Sequence, residues 1–91
     1  MERTDEPDKL EVFAIAISAL PLEALHTEQA RIEHAAKHLE RSNREIEQYI
    51  TETDDAEEKE EMKEVIQENE DVMLDQRVRL EMLRSEISRR R

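Results

Sequence analysis

The chain has 91 residues, enough for one small domain, and 43% of them are Asp, Glu, Lys or Arg. Glycine and cysteine are both absent, which argues against a Gly-rich phosphate loop, a disulfide framework and a thiolate metal site. The formal net charge of −11 repels nucleic-acid phosphates, so we expect basic protein partners and no direct nucleic-acid binding. The lack of cysteine suits a reducing compartment, and we expect the cytoplasm, with the nucleus as an alternative.

The first twenty residues change character abruptly at Leu10. Residues 1–9 are charged and lack periodicity, so we predict a mobile acidic tail there. Residues 10–20 are mostly apolar, and we predict a short apolar helix that ends before Pro21. This run is too short to span a bilayer, follows an acidic segment unlike a signal peptide, and has few basic residues to attract anionic lipid. We therefore expect no membrane association.

Residues 21–91 contain two apolar repeats whose members are alternately three and four residues apart, as in the seam of a coiled coil. They predict helix A at about 21–52, a turn at about 53–55 and helix B at about 55–90, with Asp54 and Glu57 spaced as in a capping box. We predict an all-α fold, an antiparallel two-helix coiled-coil hairpin with a short apolar N-terminal helix. The first seam is Leu22, Leu25, Gln29, Ile32, Ala36, Leu39, Asn43, Ile46 and Ile50, and the second is Met62, Ile66, Asn69, Met73, Gln76, Leu80, Leu83 and Ile87.

The two seams predict a single antiparallel register. One alignment pairs all eight residues of the second seam with residues of the first, and it sets Asn43 opposite Asn69. There, each amide satisfies the other, whereas an Asn facing Leu or Met would lose a hydrogen bond worth about 1–3 kcal/mol when buried. We therefore predict that Asn43 and Asn69 set the register, at some cost in stability.

Helix B has a second apolar stripe that lies away from its seam. Leu74, Val78 and Met82 follow one another at four-residue intervals, and three aligned apolar side chains need a cover. Either the short N-terminal helix folds back over them or another protein does. Together with Phe13 and Ile17 of the short helix, they form our candidate partner-binding surface.

We find no convincing catalytic or metal-binding pattern. His34 and His38 are one helical turn apart, but two imidazoles do not complete a metal site, and His26 is too distant to join them. Carboxylates are abundant, yet a two-helix hairpin has no desolvated pocket in which to raise a pKa. We expect no catalytic, cofactor-binding or metal-binding residues, and no enzyme activity.

A more specific set of residues runs through both predicted helices. It consists of His38-Leu39-Glu40-Arg41-Ser42-Asn43, Tyr49-Ile50, Val65, Glu68-Asn69-Glu70, Val72 and Arg77-Val78. In these residues the segment 25–87 resembles a fungal family of small proteasome-assembly chaperones. That family is the ATPase-dedicated chaperone also catalogued as translation machinery-associated protein seventeen.

The resemblance implies a stress-responsive chaperone that binds one ATPase subunit of the proteasome 19S regulatory particle base. Such a chaperone would favour pairing with the neighbouring ATPase and then leave the mature particle. A helical hairpin suits contact with the N-terminal coiled-coil region of an ATPase. The catalogue name adds an expectation of indirect ribosome association. The alternative is a permanent coiled-coil structural subunit or adaptor of another multiprotein complex.

Overall fold

The computed structural model describes residues 8–91, which form three α-helices and, within that range, no β-strand. The helices are α1 (Lys9–Ser18), α2 (Leu22–Glu52) and α3 (Ala56–Arg89). The predicted all-α class is confirmed. Residues 1–7, which make up most of the predicted tail, lie outside the described residues. In the described part, none of the helices combines the length and the apolar character needed to cross a membrane.

Helix α1 begins one residue earlier than predicted because Asp8 caps it. The Asp8 side chain accepts a hydrogen bond of 3.3 Å from the backbone N–H of Leu10, which has no partner within the helix. At the other end, the N–H of Ala19 bonds back to Ala16, and Pro21 follows closely. Residues 19 and 20, predicted to be helical, therefore belong to the connection between α1 and α2.

Pro21 precedes α2 as its N-cap rather than lying in the first turn. Its backbone is extended, with φ −68° and ψ 158°. Its carbonyl oxygen accepts hydrogen bonds from the N–H groups of Ala24 at 3.0 Å and Leu25 at 3.1 Å. The fixed φ of proline suits this junction, and its missing N–H removes a donor that the helix start would leave unsatisfied.

Asp55, in the turn between α2 and α3, is the N-cap of α3, so the predicted capping box at Asp54 is wrong by one residue. The Asp55 carboxylate accepts hydrogen bonds from the N–H groups of Glu57 at 3.0 Å and Glu58 at 3.2 Å. Thr53 sets this geometry, because its hydroxyl accepts from the N–H of Asp55 and donates to the Glu58 carboxylate at 3.0 Å. These bonds hold Asp55 directly before α3, where its carboxylate reaches the free N–H groups of the first turn.

Helix α3 packs against both α2 and α1. The buried hydrophobic core is at the end of the molecule where α1 lies, and α1 contributes to it. Each leucine or isoleucine buried there contributes about 1.5–3 kcal/mol of transfer free energy. The core residues are Ile17 from α1, Leu25 and Ile32 from α2, and Leu80, Leu83 and Ile87 from α3.

Burial differs sharply along the interface between α2 and α3. We call residues 22–32 and 80–89 the proximal half, and residues 33–52 and 56–79 the distal half, which includes the turn end. In the described structure, every buried hydrophobic residue of these two helices belongs to the proximal half. The predicted seam residues of the distal half are only partly buried, except for Asn43.

Candidate partner-binding site

The two seam asparagines are in contact within the distal half. The side-chain amide of Asn69 donates a hydrogen bond of 2.8 Å to Asn43 Oδ1, and Asn43 Nδ2 donates to Met73 Sδ at 3.9 Å. Asn43 is 8% exposed, so loss of its partner would leave a buried acceptor unsatisfied. The structure brings the two residues together, and their role in setting the register stays a prediction.

The five residues predicted to bind a partner are divided between the core and the surface. Ile17 is 4% exposed and belongs to the core, and Phe13 and Met82 pack against that core. Leu74 and Val78 are 55% and 43% exposed. A partner can therefore contact Leu74 and Val78 directly, whereas contact with Ile17 requires α1 to move.

Arg79 connects the side of α3 to α1. Its guanidinium carbon lies 4.8 Å from the centre of the Phe13 ring, within the range of a cation–π contact. Its Nε also donates to Asp75 Oδ2 at 2.7 Å, which fixes the orientation of the guanidinium group. An open groove of about 360 Å³ lies between α1 and α3 and is lined by Lys9, Val12, Phe13, Ala16 and Arg79.

Arg90 ties the C-terminal end of α1 to the C-terminal end of α3. Its guanidinium group donates to the carbonyl oxygens of Ile17 at 3.0 Å, Ser18 at 3.2 Å and Leu20. Carbonyls at the end of a helix lack partners within that helix, and a cation is favourable there. The Arg90 Nε donates to the Glu86 carboxylate at 2.8 Å. Sequence analysis missed this contact because its partners are about 70 residues apart and no periodicity links them.

Arginine side chains keep two partly buried carboxylates ionised. Hydrogen bonds from Arg89 and Arg90 lower the pKa of Glu86. A hydrogen bond from Arg31 likewise lowers the pKa of Glu28. Both shifts move titration further from neutral pH, so neither carboxylate is tuned for proton transfer near pH 7.

A second open groove crosses from α2 to α3 near the turn. Tyr49, at its wall, is 42% exposed, and a hydrogen bond with Glu58 raises the pKa of the Tyr49 hydroxyl. The groove is open and combines apolar side chains with carboxylates, which suits contact with a protein surface better than enclosure of a small molecule. It has a volume of about 340 Å³ and is lined by Ser42, Glu45, Ile46, Tyr49, Glu58 and Met62.

The histidines singled out in the sequence lie at the surface. His34 and His38 are both exposed on α2. Within residues 8–91, no three His, Asp or Glu side chains are grouped so that they could hold a metal ion. The described structure thus adds no third ligand to the pair.

The three helices, with a core at one end and open grooves along α3, define a small all-helical protein with largely acidic surfaces. Its sequence matches the model of the TMA17 helical domain over residues 9–91, and the chain belongs to this family. The family indicated by the residue set in segment 25–87 is thereby confirmed. No curated protein and no solved structure matches the chain significantly.

Proposed function

We propose that this protein is an assembly chaperone that binds an ATPase subunit of the proteasome 19S regulatory particle base and promotes ATPase pairing. The observation that supports this most strongly is the family match, which extends through all three helices. A role related to proteasome assembly is consistent with that family. The cytoplasm, or alternatively the nucleus, is the proposed location, since a chain without cysteine suits a reducing compartment.

The proposed scaffold for binding is an antiparallel coiled-coil hairpin of α2 and α3. Two contacts support this arrangement. Asn43 is hydrogen-bonded to Asn69, and Glu33 forms an ion pair of 3.6 Å with Arg84. Glu33 lies nearer the start of α2 than Asn43, and Arg84 lies nearer the end of α3 than Asn69. The two helices therefore run in opposite directions. The alternating spacing of the two seams is the pattern that produces knobs-into-holes packing.

The proposed mode of binding is transient contact between helices. The N-terminal coiled-coil region of an ATPase offers a helix, and this chain offers exposed apolar side chains on long helices. The net charge of −11 would speed encounter with a basic surface. A scaffold of this size has a thin core and seldom exceeds about 3–5 kcal/mol of stability, so a bound partner would also stabilise it.

The proposed activity involves no catalysis and no cofactor. In support, hydrogen bonds from arginine side chains lower the pKa values of the Glu28 and Glu86 carboxylates. A hydrogen bond with Glu58 raises the pKa of the Tyr49 hydroxyl. Each shift moves the group away from the range in which general acids and bases work at neutral pH. The grooves along α3 are also open to solvent, and water there would weaken electrostatic stabilisation of a reacting group.

Affinity capture of the tagged chain, followed by mass spectrometry, tests the proposal. We expect recovery of one ATPase, with its pairing neighbour, in precursors of the regulatory particle base. We also expect the chain to be absent from purified mature 26S particles. Stoichiometric recovery in mature particles would instead support the alternative of a permanent structural subunit. Capture that contains no proteasomal ATPase would contradict the proposed function.

A further inference from the structure

We infer that a groove on the distal half, on the same side as α1, is the docking site for an amphipathic helix of the partner flanked by basic residues. This inference deepens the proposed function and relies on it for the identity of the partner. We call the site the distal groove. Its α2 wall is Ala35, Ser42 and Tyr49, and its α3 wall is Glu58, Val65 and Val72.

Helix α1 already occupies the corresponding position on the proximal half. Arg79 of α3 stacks on Phe13, and the same Arg79 is close enough to Glu28 of α2 to contribute to the lowering of the Glu28 pKa. Arg79 therefore lies on the side of α3 against which α1 packs, with Glu28 of α2 nearby. On this half, α1 is the third helix that completes the core.

Heptad spacing continues both walls from α1 towards the turn. Ala35, Ser42 and Tyr49 follow Glu28 at seven-residue intervals, while Val72, Val65 and Glu58 precede Arg79 at the same interval. Residues seven apart lie on nearly the same face of an α-helix, with a drift of about 20° per heptad. The two rows face one another at the turn end, where Ser42, Tyr49 and Glu58 line one groove.

The distal groove is partly apolar, and no helix of the described residues covers it. Val72 is 48% exposed and Tyr49 42% exposed, and Val65 is partly buried. Under α1, the seam residues Leu25 and Leu83 have no exposed surface at all. A third helix on the distal half would bury its seam in the same way, and burial of apolar surface is favourable by about 25 cal/mol per Å².

The opposite side of α2 and α3 carries rows of charged residues instead. There, Glu33, Glu40 and Glu47 repeat every seven residues along α2, and Arg77 and Arg84 do so along α3. Glu33 and Arg84 form an ion pair across the two helices. Between α2 and α3, the side that holds α1 therefore offers a further helix apolar and small side chains, whereas the opposite side offers charged ones.

Charge around the distal groove identifies the chemistry of its occupant. Exposed carboxylates Glu45, Glu61 and Glu68 flank the groove, with Glu58 within its wall. A helix with an apolar stripe bordered by Lys or Arg matches this rim, whereas a second copy of this chain, with a net charge of −11, is repelled. From Ala35 to Tyr49 the groove is about 21 Å long, the length of about 14 helical residues.

Fluorescence anisotropy with a synthetic helix tests the site without knowledge of the partner. The probe is a labelled peptide of about three heptads, with Leu at the seam positions and Lys at the flanking positions. We compare the full chain with Val72→Glu and with Gln67→Glu. Both variants add one negative charge at an exposed position of α3 in the distal half, but the two positions lie about 140° apart around the helix. Gln67→Glu is therefore the matched control.

We expect Val72→Glu to weaken peptide binding by about tenfold or more, equivalent to about 1.4 kcal/mol, and Gln67→Glu to leave it nearly unchanged. Attraction by charge alone would give equal or tighter binding for both variants, and that result overturns the inference. So does failure of the unaltered chain to bind the peptide, or a larger loss with Gln67→Glu. Circular dichroism checks that Val72→Glu remains helical. Tyr49→Ser, on the other wall, gives an independent loss of binding.

The same variants, tested with isolated N-terminal segments of the proteasomal ATPases, separate the site from the proposed function. If a segment binds equally well to the chain and to Val72→Glu, the distal groove is wrong and the function stands. If Val72→Glu loses peptide binding and the control variant does not, but no ATPase segment binds the chain, the groove stands and the function fails. Loss of concentration-dependent self-association in Val72→Glu would indicate a second copy as occupant, which also contradicts the inference.

Discussion

The side-chain amide of Asn69 donates a hydrogen bond of 2.8 Å to the Oδ1 atom of Asn43. This bond joins α2 to α3 in the distal half, where the neighbouring seam residues are only partly buried. Each amide is the main partner of the other across the interface. A change at one position therefore leaves the other unsatisfied, whereas a change at both removes the requirement altogether.

Replacement of Asn43 by Leu is expected to destabilise the chain, and replacement of both Asn43 and Asn69 by Leu to stabilise it. The single variant leaves the Asn69 amide facing a leucine, at a cost of about 1 kcal/mol. The double variant adds apolar burial and should gain about 1–2 kcal/mol. Thermal unfolding measures both, since 1 kcal/mol corresponds to about 4–8 °C in a domain of this size. Equal stabilisation by the single and double variants would show that the assigned register is wrong.

Arg90→Gln is expected to loosen α1 from the rest of the molecule. The substitution removes the charged donors that satisfy the terminal carbonyls of α1, at a cost of about 1–2 kcal/mol. Hydrogen exchange should accelerate at the amides of Lys9–Ser18. Arg89→Gln is the matched control, because Arg89 is 66% exposed and pairs only with Glu86 among the described residues. Exposed pairs contribute about 0–1 kcal/mol, so equal effects of the two variants would refute a special role for Arg90.

The pairing of Glu86 with Arg89 and Arg90 predicts a specific dependence of stability on pH. Because hydrogen bonds from these two arginines lower the pKa of Glu86 from its ordinary value of 4.5, the pairing stabilises the folded chain above pH 4.5 and loses this contribution as the pH falls through the lowered pKa. Glu86→Gln removes the titration. The stability difference between the chain and Glu86→Gln should be present at neutral pH and shrink as the pH falls below 4.5 and through the lowered pKa. A difference that stays constant over this range would contradict the prediction.

Gln76→Met is expected to stabilise the chain. Gln76 Oε1 is buried and accepts no hydrogen bond from the described residues, and such an orphaned acceptor costs about 1–3 kcal/mol. Methionine has a similar shape and removes the polar atom. Gln67→Met, at an exposed position of the same helix, is the control and should not stabilise. A lower melting temperature for Gln76→Met than for the unaltered chain would show that the Gln76 amide is satisfied in solution.

The helices themselves could be predicted because their causes are local. The apolar repeats, the apolar run at residues 10–20 and Pro21 indicated three helical segments, and the observed bounds differ by only one or two residues at most ends. The shift at α3 arose because Asp54 and Asp55 are equivalent in sequence. The hydroxyl of Thr53 distinguishes them only once it has bonded to the N–H of Asp55.

The contacts of α1 were less accessible to sequence analysis because they join distant parts of the chain. Periodicity does not tell which side of α3 the short helix covers, so Ile17 was assigned to a partner surface although it lies in the core. Periodicity likewise indicates no partner for Arg90, which follows the last residue of α3. Its bonds to α1 depend on the angle of the connection at residues 19–21, which no local pattern specifies.

The acidic surface predicts how salt will act on partner binding. With a net charge of −11, association with a basic ATPase segment should be electrostatically steered. Raising the salt concentration from about 0.05 to 0.3 M shortens the Debye length severalfold and should lower the on-rate far more than it raises the off-rate. Stopped-flow fluorescence measures both rates. An on-rate independent of salt would refute steering by charge.

Direct titration of the purified chain with the isolated N-terminal segment of each proteasomal ATPase tests the central claim most directly. The chain is proposed to recognise one ATPase subunit by contact between helices. We therefore predict saturable binding to one segment with a defined stoichiometry, and much weaker binding to the others. Binding to none of the segments, under conditions in which the chain is fully helical, would contradict the proposed function.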